Sequence, residues 1–241
     1  MQVVVGGGET SKSMFYVHET LLRTRSPFFE AALSKSWREG KDGRVKLPDD
    51  DADLVKVYLQ FLYSGRISIP PMCTAAGLKC DDHESVYFAL AGLYALGEKL
   101  MDIKLKNQVI EEIFVNAWSK HSSSEQRRPS ASVVDKIYGS TAAGSPARRL
   151  MVDIYFWKGK KDWMLERPED NNTEFLMDLT QLLLRRTDRR LKRLIGDEGP
   201  DPFDKISGDK AYREEETARP STSKKRKANL SSWVISSQAS G

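Results

Sequence analysis

Val17-His18-Glu19-Thr20-Leu21-Leu22-Arg23-Thr24-Arg25-Ser26-Pro27-Phe28-Phe29 is the stretch on which the fold turns. It reads as a strand end, a His that looks buried, a dileucine step, and a helix start written Ser-Pro. Ser26 stands where an N-cap belongs, because its hydroxyl can accept from the orphan backbone N–H groups of a first turn. Pro27 follows at the first helical position, where a missing N–H costs nothing. Phe28, Phe29, Ala32 and Leu33 then give the helix an apolar face.

Upstream, Val3-Val4-Val5 and Met14-Phe15-Tyr16-Val17 flank a turn containing Gly6, Gly7 and Gly8, which reads as a β-hairpin. Downstream, Arg44 to Leu47 alternates polar and apolar as a half-buried strand does. Asp51 or Asp53 can cap a helix in which Leu54, Val57, Tyr58, Phe61 and Leu62 recur at helical spacing, and Gly65 ends it. Ser85 to Leu100 repeats that pattern with Val86, Tyr87, Leu90, Ala91 and Tyr94. Asp102 caps a further helix carrying Leu105, Val109, Ile113 and Ala117. A small sheet packed against several helices is an α+β arrangement.

The order of these motifs resembles the BTB/POZ domain. The resemblance is carried by Val17 to Phe29, Trp37-Arg38-Glu39, Arg44-Val45-Lys46-Leu47-Pro48, Tyr58-Leu59-Gln60-Phe61-Leu62-Tyr63-Ser64-Gly65, and Leu93-Tyr94-Ala95-Leu96-Gly97-Glu98-Lys99-Leu100. It covers roughly the first 120 residues, and the mix is most similar to the BTB proteins numerous in filamentous fungi. The resemblance implies an α+β helical cluster flanked by a small sheet over 1–120; the residues themselves read as a helical extension over 133–196 and a disordered basic tail over 197–241. It also implies protein binding rather than catalysis, with His18 as a structural residue satisfied by backbone groups. In the family a strand bearing an acidic residue normally precedes the Val-rich run. Met1 stands too close to Val3 for that, which implies a clipped first strand or a misplaced start and leaves a homodimer open.

Many BTB proteins are substrate adaptors for a cullin-3 ubiquitin ligase, with an apolar-x-Glu step shortly before the Arg-Val strand. Trp37 and Glu39 occupy that place here. Trp37 would fill an apolar pocket on the cullin, as an exposed aromatic at an interface does, and Glu39 would pair beside it. The competing reading packs Trp37 within the molecule and leaves Glu39 solvated. Other BTB proteins are transcriptional regulators that read DNA through zinc fingers, but two cysteines are too few for a finger, so direct DNA binding is not expected. A nuclear scaffold without its own DNA-reading module is the alternative to the adaptor.

Composition narrows the classes further. The chain has 241 residues, a formal net charge of +4 and only three His. No apolar run approaches the roughly 18 residues a membrane helix needs, and Met1 leads into a strand pattern rather than a secretory signal. The expected location is intracellular, nuclear and/or cytoplasmic.

No set of residues converges on catalysis, and no cofactor is expected. Gly6 to Ser13 nearly spells a phosphate-binding loop, yet Ser11 replaces its second Gly and a strand pattern follows where a helix must open. His18-Glu19-Thr20-Leu21-Leu22 starts like a zinc-protease motif but has Leu22 in place of the second His. Cys73, Cys80, Asp81, Asp82 and His83 have no zinc spacing and follow Pro70-Pro71 in an evident loop.

The second half is simpler. Ser122 to Ser132 reads as a linker. Val133 to Lys161 reads as helical with a loop at Gly139 to Pro146. Phe175 to Ile195 reads as an amphipathic helix, capped by Asn172 or Thr173, with Phe175, Leu176, Leu179, Leu182, Leu183, Leu191 and Leu194 as its apolar set. Arg185, Arg186, Arg189, Arg190, Lys192 and Arg193 make its second half basic, either as a solvated face or as a patch for an acidic partner. The tail cannot bury enough apolar surface to fold on its own. Within it Lys224-Lys225-Arg226-Lys227 resembles a nuclear localisation signal, against the plainer reading of a solvated tail.

Overall fold

The computed structural model describes residues 1–6, 12–34, 42–69, 83–118, 128–159, 171–194 and 211–214, with 83 and 188–194 described by backbone alone. The strands are β1 (Gln2–Val5), β2 (Ser13–Tyr16) and β3 (Arg44–Leu47). The helices are α1 (Glu19–Arg25), α2 (Pro27–Ala32), α3 (Ala52–Ser64), α4 (His83–Leu100), α5 (Ile103–Trp118), α6 (Ala131–Ser140), α7 (Pro146–Lys158) and α8 (Thr173–Leu194). The fold is α+β, mostly helical with one small sheet, as the sequence implies.

The sheet has the order β2-β1-β3. β1 pairs antiparallel with β2, placing Val3 opposite Phe15, and parallel with β3, placing Val3 opposite Val45 and Val5 opposite Leu47. Successive strand residues face opposite ways, so Val3, Val5, Val45 and Leu47 are buried together on one face. On the other face Gln2 bridges its two register partners. Its amide donates to Tyr16 Oη at 2.9 Å and accepts from Arg44 Nε at 2.9 Å.

The Ser-Pro start forms as its chemistry dictates. Ser26 has extended backbone, and its Oγ accepts from Phe29 N–H at 3.2 Å. The same hydroxyl donates to the Leu100 carbonyl at 2.5 Å, tying the first turn of α2 to the end of α4. Asp51, not Asp53, caps α3, accepting from the N–H groups of Asp53 and Leu54 at 2.8 and 3.2 Å. Gly65 closes that helix in the left-handed region at φ 70°, where a side chain would be strained.

The corner between α4 and α5 is built on Asp102, which is fully buried. Its Oδ1 accepts from Leu105 N–H at 3.0 Å and from Arg25 Nη2 at 3.4 Å, and its Oδ2 accepts from Tyr58 Oη at 3.2 Å. One carboxylate thus joins α1, α3 and α5. Burial, the Asp102 charge and the hydrogen bond to it together push the Tyr58 hydroxyl well above the ordinary phenol range.

α4 packs most extensively against α5 and α6, so the second half of the chain continues the same core. Ser130 caps α6 through Val133 N–H, inside the stretch that reads as linker. Arg148, buried on α7, donates to the carbonyls of Tyr138 and Thr141 at 2.7 and 2.5 Å, to Thr141 Oγ1 at 3.0 Å and to Glu174 Oε2 at 2.5 Å. It thereby fastens α6, α7 and α8. Asn172 rather than Thr173 caps α8, its Oδ1 accepting from Phe175 N–H at 3.1 Å. Phe175 and Leu179 are buried, whereas Leu183, expected in the apolar set, is 47 % exposed beside Leu184 at 64 %.

Candidate protein-interaction surface

β2 is an edge strand, and its outward residues are large and apolar: Met14 is 59 % and Tyr16 76 % exposed. The carboxyl half of α3 runs beside it and brings Tyr63, also exposed. Between them lies a shallow groove of about 630 Å³ lined by Phe15, Tyr16, Lys56, Leu59, Gln60 and Tyr63. The lining is mainly apolar, with Lys56 and Gln60 as polar points. Exposed aromatics around a concave apolar strip are what a protein partner buries.

His18, next in the chain to the groove residue Val17, lies at the surface and not in the core. It is exposed, and its partner is a side chain 45 residues away. Its Nδ1 lies 2.8 Å from Tyr63 Oη, to which its backbone N–H also donates at 3.2 Å. The expectation of a buried His satisfied by backbone groups is therefore corrected. His18 occupies the extended N-cap position of α1, where the chain turns at the surface, and Tyr63 supplies the bond. The pair pins the start of α1 to the end of α3 and fixes the Tyr63 ring at the groove.

Among the described residues no group of three or more His, Cys, Asp or Glu could hold a metal ion. Ser13 opens a strand, which is the wrong element for a phosphate-binding loop. Also among them, no helix is long and apolar enough to cross a membrane. Trp37, Glu39, Cys73, Cys80 and Lys224 to Lys227 lie outside the described residues. Of the basic set on α8, Arg186 stacks over the rings of Phe156 and Trp157 at 4.5 and 4.2 Å, so this cation is engaged within the molecule.

Two short segments were not singled out by sequence reasoning. One is the groove itself, whose only local signal is the outward pair Met14 and Tyr16 on an edge strand. The other is Ala211–Glu214, which lies against α5 and α7 although it falls inside the tail. A lone Tyr in a polar stretch was the available signal there.

The sheet, its flanking helices and the groove all lie within the segment that comparison with known families identifies. Residues 2–90 match the BTB/POZ domain, a protein-interaction domain, and the match runs from β1 into α4.

Proposed function

We propose that the BTB/POZ unit receives its protein partner at the β2–α3 groove. The observation that carries this is the convergence of exposed Tyr16 and Tyr63 on one apolar depression, with Met14 exposed on the same edge strand. Tyr is favoured at such positions because it offers a large rigid surface and one polar tip.

The more specific reading is an adaptor for a cullin-3 type ubiquitin ligase, with Trp37 and Glu39 as the contact pair. Its support is the apolar-x-Glu spacing, together with β3 beginning at Arg44 shortly after it. The test is a titration of the full chain with a cullin-3 N-terminal domain. Binding at about micromolar or tighter, lost in Trp37→Ala and Glu39→Ala variants of unchanged circular dichroism, supports the adaptor. No binding by the folded wild type refutes it. Tyr63→Ala, run in parallel, reports on the groove alone.

A second reading, a nuclear scaffold that brings proteins together through the same domain, rests on the cation run Lys224 to Lys227. Replacing the four residues with Ala in a fluorescent fusion then shifts the protein from nucleus to cytoplasm. An unchanged distribution removes that reading. Homodimer formation, which belongs to either reading, is measured by light scattering over a concentration series.

A further inference from the structure

We propose that the face shared by α4, α5 and α7 is a peptide-recognition site for segments of the form Tyr–any–acidic, and that Tyr212-Arg213-Glu214 occupies it in cis. The site is separate from the β2–α3 groove and stands or falls independently of it.

The contacts are those of a receptor with a short peptide ligand. The Asn107 side chain reads the backbone of one residue at both polar atoms. Its Oδ1 accepts from Glu214 N–H at 2.7 Å, and its Nδ2 donates to the Glu214 carbonyl at 3.0 Å. A side-chain amide used in this way substitutes for a neighbouring strand and accepts any residue type.

Selectivity comes from the two positions on either side of Arg213. The Glu214 carboxylate meets Lys106 Nζ at 2.5 Å through Oε2 and Tyr94 Oη at 3.1 Å through Oε1. Lys106 and Tyr94 are both buried, so a carboxylate here forms strong charge-assisted bonds. Tyr212 is itself 6 % exposed, lies beside the Phe114 ring, and donates to Asp153 Oδ2 at 2.8 Å. A site that ends in a hydroxyl acceptor discriminates Tyr from Phe, because Phe would leave that acceptor unpaired. Arg213 pairs with Glu111 at the surface, both about two-fifths exposed, and such pairs contribute little. That pair makes the middle position the least selective of the three.

The site also tolerates being open. Lys106 keeps Glu98 as a second partner at 3.2 Å when Glu214 leaves. The segment is held by these polar contacts and by the Tyr212 ring, which joins the buried core, a set that a competing segment of the same chemistry can replace. While it is tethered, its effective concentration is about millimolar, which masks the site from dilute ligands.

The experiment uses the full chain and a fluorescent synthetic peptide with the sequence of residues 208–217. In a chain carrying Tyr212→Ala and Glu214→Ala the peptide binds at least about tenfold tighter than to wild type. Adding Asn107→Ala to that chain weakens binding about tenfold, as does Phe in place of Tyr in the peptide. Equal binding to both chains, or none to a folded double variant, overturns the proposal. Should the double variant not fold, hydrogen exchange at the Glu214 amide of the wild-type protein decides. Protection that is independent of protein concentration and lost in Asn107→Ala supports the site. Unprotected exchange overturns it, and protection that grows with protein concentration overturns the assignment in cis.

Discussion

Removing the Asp102 carboxylate tests whether one buried acid holds α1, α3 and α5 in register. Asp102→Ala deletes three bonds at once. The cap on Leu105 N–H contributes about 1 kcal/mol. The Tyr58 hydroxyl, left buried without its acceptor, costs about 1–3 kcal/mol. Arg25 keeps the Phe61 ring, 5.0 Å from its guanidinium, but loses its counter-charge, while its Nε is already buried without a partner. The total agrees with the ~3–5 kcal/mol lost when one member of a buried pair is removed. Asp102→Asn keeps an oxygen for Leu105 and an amide from which Tyr58 can accept, losing mainly the charge. Its expected cost is about 1–2 kcal/mol. Urea unfolding followed by circular dichroism measures both. A loss below about 1 kcal/mol for the Ala variant, or equal losses for Ala and Asn, would refute the reasoning. In a double-mutant cycle, Tyr58→Phe should couple to Asp102→Ala by about 1 kcal/mol.

Arg148→Met keeps the apolar stem of Arg148 but leaves the Tyr138 and Thr141 carbonyls without that donor, so urea unfolding should show a loss of about 3–5 kcal/mol. A loss near zero would mean that water replaces the guanidinium. Asp153 supplies a pH dependence. Burial raises its pKa above the ordinary carboxylate value, with the Tyr212 hydrogen bond and Arg186 and Arg149 opposing. Between the unfolded value and the raised folded one, the folded state binds more protons, so stability falls as pH rises through that window. The stability difference between wild type and Asp153→Asn should therefore move against wild type as pH rises out of the carboxylate range, then level off. A difference flat with pH would sink this account.

The sequence made local structure readable where a single residue's chemistry is decisive. Ser26-Pro27, Gly65 and Asp102 each do at their helix ends what side-chain oxygens, a fixed φ and a missing Cβ require. It was ambiguous where two equivalent groups compete, as with Asp51 and Asp53, because the winner depends on which residue is extended. It was silent on pairings made across long separations. The parallel match of β1 with β3 puts Val3 beside Val45, and no periodicity within either strand announces it. His18 misled for the same reason: the motif around it suggested burial, while its position is set by Tyr63 on a distant helix. Tyr212 was hidden by averaging, since one buried ring does not alter the composition of a polar tail. The groove was legible only as an edge strand with outward Met14 and Tyr16, and its second wall comes from α3.

The Asn107–Glu214 clamp joins residues 107 positions apart. At about 5–20 residues per second of synthesis, the nascent chain holds Tyr94, Lys106, Asn107 and Asp153 together for roughly 3–12 s before the residue that covers them has been made. For that interval the site is open to any Tyr–any–acidic segment nearby. A partner that arrives during translation competes with no tether, and one that meets the finished protein must first displace it.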